Sequence, residues 1–282
     1  MAETRQILRR QAQGLKMKHN TPPLANCEVV DTVATITLAN ERSRNALSLA
    51  MIDTLTTFFT QLAERRDVRV VVVQANGLAF CAGHDLRELT SHREDDDGGH
   101  AFYSQTMSAC STLMRHIIGA PQPVIAAVDG IATAAGCQLV ATCDLAVAGP
   151  RARFCTPGVN IGLFCSTPSV ALGRIIGRKH AMEMLLTGDV FSAEDALRFG
   201  LINHIAPEDA RTSAQALAHR IAVKSPRALV IGKETFYRQI DMPLAAAYDH
   251  ASAVMVENMM ISDAREGIAA FLEKRDPIWP KD

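Results

Sequence analysis

Two short stretches, Ala82-Gly83-His84-Asp85-Leu86 and Ala134-Ala135-Gly136-Cys137-Gln138, share one design. Each follows an apolar run, contains glycine and alanine, and opens an amphipathic segment. A strand, a small-residue turn and a helix N-terminus in succession aim unpaired backbone N–H groups at an anion or a polarised carbonyl. Two such groups converging on one oxygen form an oxyanion hole, each donor worth about 3 kcal/mol when charge develops there. Proton transfer would fall to neighbouring side chains. His84 has a suitable intrinsic pKa, whereas Gln138 can hold a water by hydrogen bonds but has no useful basicity. Asn160, Cys165 and Ser166 lie on one later loop; Cys165 with His84 would make a nucleophile and base pair, and its blander role is a small buried packing residue. Asp85 is placed to cap the helix that follows, and Asp144 to begin a strand in a structural role. Cys137 and Cys143 are too far apart to chelate convincingly from one helix face, so no metal site is expected.

The elements that must position these residues alternate. From Cys27 to Asp31 and from Val33 to Leu38 the chain reads as an antiparallel pair, followed by a polar turn from Asn40 to Asn45. Ser48 begins a helix to about Arg66, with Leu49, Ile52, Leu55, Phe59 and Leu62 at helical spacing. Val68 to Gln74 and Val124 to Val128 have the β-branched character of strands buried on both faces. His92 to Gly99 reads as a charged, flexible loop, and Phe102 to Ile118 as a helix stopped by Gly119 and Pro121. Asp144 to Ala148 is a further strand, Phe154 to Pro168 a loop, and from Ser169 the pattern is helical. Strands alternating with helices, then helices alone, predict an α/β core with an all-helical tail. Parallel strands would bring both small-residue loops to one sheet edge. A helical tail unable to close its own core calls for a neighbour, so an oligomer is expected.

At 282 residues, 48% hydrophobic and 21% charged, the chain has the make-up of a soluble globular protein. Its net charge of −1 argues against nucleic-acid partners, which need a concentrated basic surface. No apolar run reaches the roughly 20 residues that span a bilayer, so no membrane partner is expected. Seven scattered cysteines without a C-x-x-C pair fit a reducing compartment. The N-terminus, MAETRQILRRQAQGLKMKHN, is basic and holds no serine, so a bacterial cytosol is preferred here over the mitochondrial matrix.

Several motifs occur in a recognisable order: RNALS from Arg44, FCAGHDLREL from Phe80, DGIATAAGCQLVATCD from Asp129, TPGVNIGL from Thr156, TGDVFSAEDALRFGLI from Thr187 and EGIAAFLEKRDPIW from Glu266. Together they resemble the crotonase (enoyl-CoA hydratase/isomerase) superfamily over residues 25 to 280. The resemblance implies an α/β fold, a spiral of ββα units in two nearly perpendicular sheets, with C-terminal helices that form homotrimers, often paired as hexamers. It divides the chain into a flexible extension (1–24), a spiral core (25–205) and a C-terminal helical region (206–282). It implies an acyl-CoA or enoyl-CoA thioester as ligand, coenzyme A entering as part of the substrate and no tightly bound cofactor. In that family the backbone N–H groups matching His84 and Ala135 hold the thioester carbonyl. Ala46, Ala82, His84, Asp85, Leu86 and Arg87 would flank CoA, with Arg44 near its phosphates. Phe271 and Lys274 would reach CoA from the C-terminal helix of this or an adjacent subunit.

The resemblance also exposes a departure. Family hydratases carry a glutamate at the positions of Gln138 and Gly158, and some isomerases an aspartate at that of Ser166. A positioned acid or base contributes about 10² to 10⁴-fold, so losing both glutamates should remove most hydratase activity while leaving the hole intact. Three readings stay open: a family enzyme that uses the hole, a non-catalytic or regulatory acyl-CoA-binding protein of fatty-acid metabolism, and a structural subunit of a larger assembly.

Overall fold

The computed structural model describes residues 22–280. The antiparallel pair is β1 (Ala25–Val30) and β2 (Val33–Leu38), reversed at Asp31 and registered Val30 to Val33. β3 (Val70–Ala75), β5 (Val124–Val128), β7 (Leu145–Ala148) and the two-residue β10 (His204–Ile205) extend it in parallel, giving the order β1-β2-β3-β5-β7-β10. Alternation splits these strands between two cores, as a period of two requires. Ile36, Leu38, Val71, Val73, Val124 and Ala126 face one side with α1 (Leu49–Ala63) and α3 (His100–Gly119). Val33, Val70, Val72, Ile125 and Val147 face the other, against α8 (Ala210–Ala222). Ala210, Ala214, Ala218 and Ala222, each four residues apart and buried, bring α8 close to the sheet.

A second sheet escapes any reading of periodicity. It orders β4 (Ala79–Cys81), β6 (Ile131–Thr133), β8 (Arg153–Cys155) and β9 (Phe191–Ser192) as β4-β6-β8-β9. Each strand has at most three residues, too few for alternation to register. The unit then repeats along the chain: β3 and β4 lead to α2 (Leu86–Ser91), β5 and β6 to α4 (Ala135–Thr142), and β7 and β8 to α5 (Ser166–Ile175). This is the spiral of ββα units, and it replaces the simple parallel sheet. α6 (Arg178–Thr187) follows, then α7 (Ala193–Phe199), which starts from a reciprocal Ser192–Asp195 capping box.

The segment from His92 to Gly99 is not a loose loop. It begins as a short 3₁₀ turn, His92 stacks on Phe102 with ring centroids 3.6 Å apart, and the Asp97 carboxylate accepts hydrogen bonds from the Gly99 and Ala101 N–H groups. The helix that follows therefore starts at His100, where backbone N–H groups need such acceptors.

The tail consists of α9 (Pro226–Gln239), α10 (Leu244–Met260) and α11 (Ser262–Glu273). It is tied to the core through Lys233, whose ammonium donates to the carbonyls of Ile117 and Gln122, both at 3.0 Å, and lies 2.7 Å from Asp144. Asp144 also accepts from Tyr237 Oη (2.9 Å) and from the Val124 N–H (2.7 Å). Its structural role is therefore to join β5 to α9. Among the described residues no helix is long and apolar enough to cross a membrane.

Candidate active site

The first loop is oriented by Leu47. Its N–H donates to the Gly83 carbonyl (2.7 Å) and its own carbonyl accepts from the Asp85 N–H (3.4 Å), making an isolated parallel bridge between Leu47 and His84. In a parallel bridge the residues on either side of the bridged one make the bonds. The His84 N–H therefore points away from Leu47. Asp85 caps α2, accepting from the N–H groups of Arg87 and Glu88, which fixes the direction in which the chain leaves.

The second loop reaches the same place by strain. Ala134 sits at φ 51°, ψ −118°, a region L-residues rarely adopt and that costs on the order of 1–3 kcal/mol. Its N–H is held by the Cys155 carbonyl at 2.9 Å. The turn makes Ala135 the first residue of α4, whose N–H has no intrahelical acceptor. The loops meet at glycines. Gly83 has φ +82°, and a Cβ there would stand 3.0 Å from Thr133 O and Ala134 Cβ and 3.3 Å from Ala135 N. A Cβ at Gly136 would collide with the Cys81 carbonyl oxygen. The two backbone segments are thus in contact, with the His84 and Ala135 amides on neighbouring turns.

The side chains around this junction hold few charges. His84 is partly buried, its Nδ1 lies 3.4 Å from the Leu47 carbonyl, and burial pulls its pKa below the ordinary histidine value despite that bond. The neutral ring with its proton on Nδ1 satisfies that contact, leaving Nε2 as a buried acceptor without a donor. Gln138, four-hundredths exposed, likewise has Oε1 buried without a donor. At Gly158 a Cβ would lie 2.9 Å from both Cys165 Sγ and the Leu163 carbonyl, so Cys165 fills the space that a longer side chain there would need. Burial raises the Cys165 pKa, against a backbone bond from Gly158, and Cys137 and Cys155 share its surroundings. A thiol so placed is a packing group rather than a nucleophile. Cys137 and Cys143 are buried thiols, and among the described residues no group of His, Cys, Asp or Glu is arranged for a metal.

Of the other expected contacts, Ala46 is buried, Ala82 donates its N–H to the Arg44 carbonyl at 3.0 Å, and Arg44, Leu86 and Arg87 are exposed on the rim. Phe271 and Lys274 stand exposed on and just after α11, which packs against α9 and α10. The bracketing by Leu47 and the meeting of Gly83 with Ala134 have no sequence signal of their own. Both come from pairing between distant segments, although the glycine-alanine character of the loops already marks where backbones come close. An open polar trough of about 840 Å³ between β1, β2 and α8 shares no lining residue with the two loops, and its Arg211, Gln74 and Gln215 side chains bond to neighbours within it.

A family model described as enoyl-CoA hydratase/isomerase matches residues 28–282. The chain belongs to the enoyl-CoA hydratase/isomerase family. It is 46% identical over 259 residues to the rat enoyl-CoA hydratase domain-containing protein 3, mitochondrial, covering 92% of this chain and 85% of the relative. The human protein of the same name is 43% identical over 271 residues, covering 96% and 88%. The human relative's crystal structure superposes with a TM-score of 0.87 at 44% identity, over 91% of this chain and all of that one. An enoyl-CoA hydratase from Mycobacterium smegmatis gives 0.86 at 47%, over 91% and 99%. The family fold, two sheets wound from ββα units with a helical tail, is therefore that of this chain.

The same relatives correct the expected compartment. The rat, mouse, human, Xenopus laevis and Danio rerio proteins, 43–46% identical, are all named mitochondrial, which overturns the assignment to a bacterial cytosol. Serine content is a poor discriminator in a stretch as short as MAETRQILRRQAQGLKMKHN, whose arginines and single acid also fit a matrix presequence. That stretch, like most of the expected 1–24 extension, lies outside the described residues.

Proposed function

We propose that this protein binds acyl-CoA thioesters and polarises the thioester carbonyl between the backbone N–H groups of His84 and Ala135. The observation that carries this reading is the contact of the two loops at Gly83 and Ala135, which leaves two neighbouring amides free to donate. Such donors act most strongly where water is excluded, and the surroundings of Ala135, Gly136 and Gln138 are buried. Coenzyme A would lie along Ala46, Ala82, Asp85, Leu86 and Arg87 with its phosphates near Arg44. Phe271 and Lys274 would contribute from an adjacent subunit of a homotrimer or dimer of trimers. The tail supports that assembly: among the described residues α9 and α10 bury no apolar side chain fully, while Phe236, Tyr248, Met255 and Met259 are all more than half exposed. On this reading residues 25–205 form the binding core, 206–282 the assembly region, and the compartment is the mitochondrion.

Hydration at the family's rate is not part of the proposal, because Gln138 supplies no base and Gly158 no side chain. A second reading, a non-catalytic or regulatory acyl-CoA-binding protein of fatty-acid metabolism, is favoured by Cys165, which closes the space at Gly158. The test is loss of the conjugated enoyl absorbance of crotonyl-CoA, with Gln138→Glu alongside and binding of a saturated acyl-CoA compared with CoA. Gly158→Glu is unsuitable because its Cβ would press on the Leu163 backbone. The unaltered protein is expected to bind the thioester more tightly than CoA and to leave the absorbance unchanged, and Gln138→Glu to gain slow hydration. Equal binding of CoA and thioester would rule out the hole. Rapid hydration by the unaltered protein would show that another group replaces the glutamates.

A further inference from the structure

Two consecutive non-glycine residues, Arg44 at φ 53° and Asn45 at φ 55°, occupy the left-handed region just before Leu47. Asparagine tolerates that conformation better than other side chains. Asn45 is also wholly buried, and its amide donates to the carbonyls of Asn76 (2.8 Å) and Ala79 (2.9 Å). Asn76 directly follows β3 and Ala79 opens β4, so one side chain ties the turn before α1 to both sheets. On either side of Asn45 lie the bonds that hold the first loop: the Arg44 carbonyl accepts from Ala82, and Leu47 brackets His84 through Gly83 and Asp85. Asn45 Oδ1 is buried with no donor. The two donors are thus the useful half of the group. Glycine would supply the backbone angle but no donors, and aspartate would turn an acceptor towards two carbonyls.

We infer that Asn45 is a positioning residue for the carbonyl-polarising site: its amide sets the Arg44–Leu47 bracket and, through it, the direction of the His84 N–H. The inference rests on the hole proposed above. It adds a specific residue, one that touches no ligand and acts only through the bracket.

The test reads the carbonyl itself. Isotope-edited infrared spectra of a carbonyl-labelled acyl-CoA, taken at saturation, report polarisation as a lowered stretching frequency, and saturation removes any effect on affinity through Arg44. The unaltered protein should lower the band relative to free thioester. Asn45→Gly should lose at least about half of that lowering, and Asn45→Ser, which keeps one hydroxyl donor, should fall between. Ser43→Ala removes a hydroxyl that bonds only within the same turn, to Asn40 and Ala46, and should leave the band in place. If Asn45→Gly does not fold, Asn45→Ser carries the same reading. An unchanged band in the folded Asn45 variants, or an equal loss in Ser43→Ala, would overturn the positioning role while leaving the hole standing. No lowering in the unaltered protein would overturn the hole and this inference with it.

Discussion

The junction of the two loops and the C-terminal tail solve opposite problems. At the junction every approach is over-determined: Leu47 brackets His84, Cys155 holds Ala134, and glycines stand wherever two backbones touch. In the tail, α9 and α10 bury no apolar side chain fully among the described residues and display large ones, and the tie to the core is concentrated at the buried Lys233 side chain. The first arrangement holds strain and unpaired amides in place, which a preorganised site requires. The second leaves surface to be completed from outside the chain.

The sharpest way to break this contrast is to cut the tie. Lys233→Met would leave Asp144 largely buried without its counter-ion and strip the Ile117 and Gln122 carbonyls of a donor. Removing one partner of a buried pair costs about 3–5 kcal/mol, read as a lower denaturant midpoint. A loss below about 1 kcal/mol would mean that the tail is held by other contacts. The Lys233 side chain is buried, which pulls its pKa below the ordinary lysine value against the opposing effect of Asp144.

A smaller effect is expected where the backbones touch. Gly136→Ala would drive a Cβ into the Cys81 carbonyl and should cost about 1–3 kcal/mol as the loop shifts. It should also abolish the preference for thioester over CoA. Gly173, inside α5 with nothing within 4 Å of its would-be Cβ, is the matched control. Gly173→Ala should stabilise by about 0.5–1 kcal/mol and leave binding unaltered. If both substitutions behave alike, close packing at the junction is not what distinguishes it.

How much of this is legible in the sequence alone depends on the range of the signal. The β-branched runs of β3 and β5, the Ser48 cap and the Asp85 cap are local, and they stand where they were expected. The small-residue loops were legible for the same reason, since only glycine and alanine permit such contact. The second sheet was legible only through the family resemblance, because its strands are too short to show a period and are made by pairing across the spiral. The closure at Gly158 by Cys165 and the Leu47 bracket were not legible, since each needs two segments to meet. The displaced glutamates at Gln138 and Gly158 were visible only through the family resemblance, since nothing in a lone glutamine or glycine marks a missing acid.

The smallest predicted effect probes the His84 ring directly. Its folded pKa is depressed by burial, so the folded state prefers the neutral form and the unfolded chain takes up a proton first as pH falls below about 6.5. Where the unfolded state binds more protons, stability rises with pH. The histidine's contribution is therefore fully present above about pH 6.5 and is lost as pH falls through the folded value. His84→Gln should flatten the acid limb of the stability profile while changing the neutral plateau little, a difference read from denaturant midpoints across that window. It should also leave thioester binding at neutral pH nearly intact, because the proposed hole uses the backbone N–H and not the ring. If the variant keeps the same acid limb, the ring is not held neutral by burial. If it loses thioester binding at neutral pH, the side chain, with its unfilled Nε2, acts on the ligand directly, and the junction is more than two converging amides.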